Sequence, residues 1–407
     1  MKKDTLNKKR IWDYPWQFAE SFIILSTAVI IAFFFDFITE SSNSLTLSYP
    51  TNIITLLTFI SSIFICYFVF KNTEIIKWLR SGQLAIATII WLLILVILMG
   101  IVGQDTKETN LIINKLQLNN IVFSKAFYIV QFFMLTNLLM LTIYRFNSFT
   151  VRNTFFIINH IGIFILIVSL SFGAGDIQKY TVKIDTDNYV WDVTNSTQHT
   201  QLPFALILKE FDIKMFPAKI GIIENKTDEI IKGNNKILSS NKDSVIYFMD
   251  YKISLKKYLS NAINFNGKYH FVNDQGSAPA ANILIEKNEK IRDAWISCGS
   301  FMYPSTFFEI DSNYTLVMLE PEPKLFKSDI KIIHKNSKTE SFVLEVNQPV
   351  NIMGWDIYQT DYNKEMGKWS DYSVIEMVKD PWLNFVYLGI FMMMFGAFSL
   401  IFLGVKK

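Results

Sequence analysis

The segment NTFFIINHIGIFILIVSLSFGAG, residues 153–175, decides the architecture of this chain. Its length and apolar character predict a membrane-spanning helix, because a bilayer core requires about 20 apolar residues. His160 is the ionisable side chain inside it, and a titratable imidazole in hydrocarbon indicates a function by default. A long polar stretch typical of one folded domain follows at once. The sequence therefore predicts a membrane protein that handles a ligand, a metal-centred one, beside an external domain.

The composition supports a membrane protein and argues against several other classes. Of the 407 residues, 51% are hydrophobic, and the mean hydropathy is +0.26. The net charge of +3 is nearly balanced, so nothing points to nucleic acid. Cys66 and Cys298 form no C-x-x-C motif, which argues against thiol–disulfide exchange and against covalent haem attachment to this chain. We expect no disulfide between them. The four histidines form no i, i+4 pair, which disfavours a zinc enzyme.

Six apolar runs are long enough to cross a bilayer, at residues 18–38, 53–70, 84–102, 126–144, 154–172 and 382–405. The first follows a basic stretch, and no small-residue cleavage site succeeds it, which favours an anchor over a signal peptide. The fourth is interrupted by Gln131, Thr136 and Asn137. A buried or peripheral helix remains the alternative interpretation of that run.

The positive charges predict the orientation, because Lys and Arg are enriched in cytoplasmic loops. The loop at 40–52 has neither residue, whereas the loop at 103–125 carries three lysines against the trend. The pattern predicts both termini in the cytoplasm and residues 176–380 outside it. The basic residues that carry this prediction are Lys2, Lys3, Lys8, Lys9, Arg10, Lys71, Lys77, Arg80, Arg145, Arg152, Lys406 and Lys407. The expected interface anchors are Trp12, Tyr14, Trp16 and Trp382.

The stretch 176–380 is predicted to be rich in β-strands. Apolar and polar residues alternate at 180–184, 204–209, 281–285, 314–318 and 342–346, and no comparably long amphipathic helix occurs. Residues 225–242 indicate a loop or a turn-rich edge. Near the end, Val346-Asn-Gln-Pro predicts a strand end with a turn. The following strand is predicted to place Trp355, Ile357 and Gln359 on one face and Tyr358 on the other.

His160 is the main candidate site residue. It lies eight residues into its span, roughly 10 Å below the inner interface. The functional hypothesis is an axial haem ligand through a neutral imidazole nitrogen, and the alternative is a histidine that packs against a neighbouring helix. Gly162 and Ser169 would let a helix or a flat ligand approach closely.

The other polar candidates have simpler interpretations. His199, His270 and His334 are expected at the surface of the outer domain. Asp36 is interpreted as an interface carboxylate, Glu20 as a residue that reaches the head groups, and Asn137 as a link between helices. No catalytic motif is visible.

Several pieces in order resemble the ResB family (CcsB-type) of cytochrome c biogenesis proteins, from about Lys77 to the C-terminus. They are the helix with His-Ile-Gly at 160–162 and its exit at 173–180, the strand at 202–211, Val346-Asn-Gln-Pro with Gly354–Gln359 and Tyr362, and the last span with Asp380-Pro-Trp, Tyr387-Leu-Gly and Gly396. The family has four core spans with a large external domain between the third and the fourth. The resemblance thus implies two added helices at 1–76, three core helices at 77–175, the β-rich domain at 176–380 and a last helix at 381–407.

The resemblance also implies a function. Family members work with a second membrane protein, CcsA, in the bacterial cytoplasmic membrane to carry haem outward for attachment to the C-x-x-C-H motif of apocytochrome c. His160 matches the family's intramembrane haem ligand, whose partner histidine comes from CcsA, and the implied cargo is haem b. The tryptophan-rich motif of CcsA is absent, so this chain is expected to be a non-catalytic or co-catalytic subunit of a cytochrome c synthase.

Two other functions remain open. A transporter is disfavoured because paired broken helices and several intramembrane charges are missing. A structural or sensory membrane protein, whose outer domain binds a partner without haem, stays as the alternative.

Overall fold

A computed structural model describes residues 12–39, 47–104, 110–148, 150–194, 199–231 and 245–405. The chain divides into a helical unit, Met1–Ile177 with Asp380–Lys407, and a β unit, Gln178–Lys379. Some residues used to predict orientation and loops lie outside the described residues: Lys2, Lys3, Lys8, Lys9, Arg10, Lys406, Lys407 and the part of the predicted loop at 232–242.

The helical unit contains six helices that are long and apolar enough to cross a membrane, counted over the described residues, and the predicted polytopic fold is therefore confirmed. The helices are α1 (Phe18–Thr39), α2 (Thr51–Phe70), α3 (Glu74–Leu79), α4 (Gly82–Ile101), α5 (Leu111–Lys115), α6 (Lys125–Arg145), α7 (Val151–Phe172) and α8 (Leu383–Val405). The short helices α3 and α5 were not predicted from the sequence.

Helix α6 is the centre of this unit, because it contacts α1, α2, α3, α4 and α7. The polar residues that interrupt its hydropathy serve these contacts. The side-chain amide of Asn137 donates to the carbonyls of Leu79 (2.8 Å) and Ser81 (3.0 Å), and that of Gln131 donates to the hydroxyl of Ser171. Asn137 therefore links helices, as predicted.

Asp36, interpreted from the sequence as an interface carboxylate at the outer end of the first span, is buried and ion-paired, since its side chain is 1% exposed. It accepts hydrogen bonds from the backbone N–H and the ammonium of Lys125, each at 2.9 Å, and so joins the end of α1 to the start of α6. Lys115 lies over the ring of Phe37 at 5.3 Å. Two of the three lysines in the loop at 103–125, Lys115 and Lys125, therefore have partners within the protein. The third, Lys107, lies outside the described residues. Glu20, which the sequence predicts to reach the head groups, is also buried within the protein and accepts a hydrogen bond from the N–H of Gln17.

Asp176 joins three helices of the helical unit just beyond the end of α7. Its carboxylate accepts hydrogen bonds from the backbone N–H of Tyr49 (2.6 Å), the amide of Asn52 (2.7 Å) and the indole of Trp382 (2.8 Å). Burial raises the pKa of the carboxyl, but these donors outweigh burial, so the pKa lies below its ordinary value.

The β unit is rich in strands, as predicted for 176–380, and its strands pair in antiparallel sheets. Strands occur at all five predicted positions, and a short 3₁₀ turn, Gly367–Trp369, is the helical element in its described residues. The strands are β1 (Gln178–Asp185), β2 (Val190–Thr194), β3 (His199–Met215), β4 (Ile220–Glu224), β5 (Glu229–Ile230), β6 (Val245–Phe248), β7 (Tyr251–Phe265), β8 (Lys268–Phe271), β9 (Ala278–Lys287), β10 (Lys290–Ser297), β11 (Phe308–Glu309), β12 (Tyr314–Met318), β13 (Pro323–His334), β14 (Thr339–Glu345), β15 (Val350–Ile352), β16 (Trp355–Tyr362) and β17 (Tyr372–Lys379).

The strands form two sandwiches, each with its own hydrophobic core. In the first, sheet β1-β17-β16-β15 packs on sheet β14-β13-β3-β2. In the second, sheet β10-β9-β7-β6, with β8 on β7, packs on sheet β11-β12-β4-β5. The alternation seen in the sequence reflects this arrangement, because one face of each strand is buried between two sheets. Strand β5 is the edge predicted near residue 225.

The motif strand β16 is a core strand of the first sandwich. Trp355, Ile357 and Gln359 are buried on one face, as predicted. The side-chain oxygen of Gln359 accepts from the hydroxyl of Ser328 at 3.1 Å. Gly354 has φ +82° in the two-residue turn between β15 and β16, a conformation that glycine adopts without strain. The motif therefore specifies packing and a turn.

Replacing Asp36 by Asn is expected to lower the unfolding free energy by about 1–3 kcal/mol, because the Lys125 ammonium loses its buried counter-charge. Thermal unfolding of the purified full-length protein in detergent measures this change. The matched control is Glu74→Gln, which removes an ion pair with Lys77 whose side chains are 46% and 48% exposed and which should change little. Equal melting temperatures for Asp36→Asn and wild type would contradict the structural role of the pair.

Asp176→Asn is expected to lower the melting temperature relative to wild type at neutral pH. The size of this decrease is expected to become progressively smaller as the pH falls. Since the folded pKa is depressed, the carboxylate contributes stability above its unfolded pKa, and this stability is lost as the pH falls through the folded pKa. The difference from wild type should thus shrink below about pH 4. Melting curves across pH test this, with exposed Asp228→Asn as the control. A difference that stays constant with pH would refute the assignment.

Candidate functional site

The turn between α6 and α7 positions the start of the candidate helix. The hydroxyl of Thr150 caps α7 by accepting from the N–H of Asn153 at 3.2 Å. The side-chain amide of Asn153 in turn donates to the carbonyls of Arg145 and Ser148, each at 2.5 Å. Carbonyls at the end of a helix lack partners within it, and here a side chain satisfies them. The first turns of α7, where His160 follows, are therefore held firmly on the end of α6.

His160 presents one ring nitrogen outward from its own helix. Its Nδ1 lies 3.0 Å from the carbonyl oxygen of Phe156. A carbonyl oxygen can only accept, so Nδ1 carries the proton and Nε2 presents its lone pair. Among the described residues, Nε2 has no hydrogen-bond partner, and the side chain is half-buried. A metal-ligating histidine commonly donates its second ring N–H to a backbone carbonyl in this way. The residue therefore fits the role of an axial ligand to iron.

An aromatic contact holds the imidazole plane. The rings of Phe156 and His160 are stacked, with centroids 3.8 Å apart and planes inclined by 24°. The guanidinium of Arg145 lies 4.8 Å from the centroid of the same Phe156 ring. Three side chains thus form a group at the α6–α7 end of the helical unit. Sequence reasoning missed Phe156 and used Arg145 only for orientation, although the i, i+4 spacing of Phe156 and His160 could have suggested the ring contact.

The opposite side of α7 packs closely on α8. A Cβ on Gly162 would lie 2.8 Å from the carbonyl oxygen of Gly389, and one on Gly389 would lie 2.8 Å from that of Gly162. Asn159 also donates to the carbonyl of Met393 at 2.7 Å. The predicted close approach at Gly162 is therefore made by a helix of the same chain. Because successive residues turn by about 100°, His160 projects on nearly the opposite side from Gly162.

The remaining histidines and cysteines do not join this group. His199 and His270 are exposed, as predicted, whereas His334 is half-buried and its Nε2 lies 3.8 Å from Glu340. Burial raises the pKa of the Cys298 thiol to about 11, so thiolate is scarce at neutral pH and exchange chemistry is disfavoured. No group of three His, Cys, Asp or Glu suited to a metal occurs within the described ranges. Within those ranges, His160 is therefore a candidate ligand without a second His, Cys, Asp or Glu cluster beside it.

A model of the ResB-like family matches residues 281–370. This confirms the resemblance noted in the sequence over that stretch, which is fewer than a quarter of the 407 residues. The match runs from within β9 to just beyond β16, across both sandwiches, and it includes the motif strand. His160 and its helix lie outside the matched residues. No curated protein matches the chain.

Gly162→Ala is expected to destabilise the helical unit by about 1–3 kcal/mol, because the added methyl group meets the backbone of α8. Thermal unfolding of the full-length protein measures the loss. Gly100→Ala is the control, since a Cβ at Gly100 meets nothing within 4 Å. Equal stability of the two variants would contradict the close packing of α7 and α8.

Proposed function

We propose that this chain is the ResB-like subunit of a membrane haem-delivery complex, a cytochrome c synthase that moves haem b outward for attachment to apocytochrome c. The observation that carries the proposal is the imidazole of His160 in a helix long and apolar enough to span a membrane. Its Nδ1–H donates a hydrogen bond to the Phe156 carbonyl, and its Nε2 has no hydrogen-bond partner among the described residues. The ResB-like match supports the same function, because that family is associated with cytochrome c biogenesis.

The geometry supports a shared site. Haem iron has two axial positions, and the described residues offer one candidate ligand for them. His160 projects away from α8, so a second ligand can approach from another protein. We infer that this protein is a CcsA-type membrane partner, which the resemblance implies and which would also supply the missing tryptophan-rich motif. The present chain would therefore be a non-catalytic or co-catalytic subunit.

The imidazole of His160 is positioned by a neighbouring residue of the same helix. Bound haem would supply the reactive vinyl groups for the attachment chemistry. The carbonyl of Phe156 accepts a hydrogen bond from Nδ1–H, and its ring stacks on the imidazole, so both the tautomer and the ring plane are restrained. The preformed orientation reduces the side-chain entropy that would be lost on binding a ligand.

The charge pattern supports the placement in the bacterial cytoplasmic membrane with both termini in the cytoplasm. Among the described residues, most of the Lys and Arg residues that are predicted to face the cytoplasm lie between α2 and α4 and around the turn between α6 and α7. The β unit would then be extracytoplasmic, where apocytochrome c is exported. Its sheet edges suit the addition of an extended apocytochrome segment as a strand.

A structural or sensory role without haem is the second candidate. Two observations favour it: the ResB-like match stays within the β unit, and the stacking on Phe156 accounts for the packing of His160 without a ligand. In that case the β unit would bind a partner protein, and His160 would contribute to helix packing only.

His160→Gly is expected to reduce the haem content of the complex severalfold, and added imidazole is expected to restore it, because free imidazole can occupy the vacated axial position. The Soret absorption of the full-length protein co-purified with its CcsA-type partner measures this. His270→Ala, at an exposed position of the β unit, is the control and should keep the wild-type spectrum. Equal haem in wild type and His160→Gly would remove the residue as a ligand, and an intact complex without haem would favour the structural or sensory role.

A further inference from the structure

Arg145 is a cation placed beside the candidate ligand. It is the last residue of α6, its side chain is exposed, and its guanidinium lies over the Phe156 ring that also stacks on His160. Within the described ranges, no carboxylate lies within 4.0 Å of this guanidinium. The contact with the Phe156 ring uses only the face of the Arg145 guanidinium. The edge of the guanidinium, which carries its N–H donors, therefore remains available for hydrogen bonds.

The position of Arg145 suits a ligand that is both apolar and anionic. The guanidinium and the imidazole both lie against the Phe156 ring, so a large flat molecule coordinated at Nε2 would be able to reach Arg145 with one of its edges. Haem b carries two carboxylates on one edge of its macrocycle and apolar groups on the opposite edge. Arginine presents several donors in a planar fork that matches a carboxylate, and such charge-assisted pairs are stronger than neutral hydrogen bonds.

We propose that Arg145 binds a carboxylate of the haem that His160 ligates, and that it thereby determines which edge of the macrocycle faces the α6–α7 turn. This inference rests on the proposed function. The apolar edge, which carries the vinyl groups, would then point away from the α6–α7 turn. The same contact discriminates haem from flat apolar molecules, since a ligand without carboxylates forms no pair with Arg145.

The other arginines at this end of the helical unit provide matched controls. Arg152 lies in the first turn of α7 and is exposed, and within the described ranges it is Arg145, not Arg152, that makes the cation–π contact with the Phe156 ring. Arg80 stacks on a different ring, that of Tyr144, at 3.8 Å. Replacing any of the three by Gln removes one positive charge from the same end. A general effect of charge on insertion or on lipid head groups would therefore be shared by all three variants.

The experiment compares binding of haem b with binding of its dimethyl ester, in which both carboxylates are blocked while the iron and the macrocycle are unchanged. Soret titrations use the full-length protein with its CcsA-type partner, as wild type, Arg145→Gln, Arg152→Gln and Arg80→Gln. Wild type is expected to bind haem b about tenfold more tightly than the ester. Arg145→Gln is expected to abolish this preference by weakening the binding of haem b alone, whereas the two controls keep it.

Other outcomes separate the inference from the proposed function. Equal affinity of wild type for haem b and the ester, or an equal loss in all three arginine variants, would overturn the role of Arg145 while haem binding at His160 stands. If wild type binds neither molecule through His160, as shown by a spectrum unchanged in His160→Gly, both the inference and the proposed function fail.

Discussion

The helical unit depends on one constraint, which is that a polar group inside a membrane must find a partner within the protein. Helix α6 shows how the chain meets it. Asn137 satisfies two carbonyls where α3 gives way to α4, Asp36 and Lys125 neutralise each other between α1 and α6, and Gln131 reaches across to α7. Each of these polar groups is used to hold α6 against a neighbour. The least hydrophobic span is therefore the central one.

His160 meets the same constraint only in part, and this is what distinguishes it from the other polar residues of the spans. Its Nδ1–H donates a hydrogen bond within α7, while Nε2, which has no partner in the part of the chain that the structure describes, lies on a side of the helix turned away from α8. An unused acceptor in an apolar environment costs free energy unless something binds it. The close packing of Gly162 on Gly389 restrains helix α7, and the stacking of Phe156 restrains the imidazole ring. An imidazole restrained in this way would suit the proposed ligand role.

The β unit contributes in a different way. Its most recognisable motif, from Val346 to Tyr362, forms a turn and a core strand, with Gln359 buried in a small polar cluster beside Ser328. The ResB-like match therefore covers residues that specify the fold of the sandwiches. The residues with ligand chemistry lie in α7, outside that match. Similarity in the β unit identifies the kind of scaffold, whereas the function has to be argued from the site in the helix.

The sequence by itself determined the six spans, with boundaries within a few residues, and the β-rich character of the second unit. Both follow from hydrophobic periodicity and length, which are local properties of the chain. It also identified His160, because an ionisable residue stands out in an apolar run. Only the tertiary structure decided that Asp36 is buried against Lys125, that α6 is central, that the strands form two separate sandwiches, and that Arg145 and Phe156 join His160. These features depend on contacts between residues distant in the sequence, or on which of several helix faces meets a neighbour, and neither is encoded in local hydropathy.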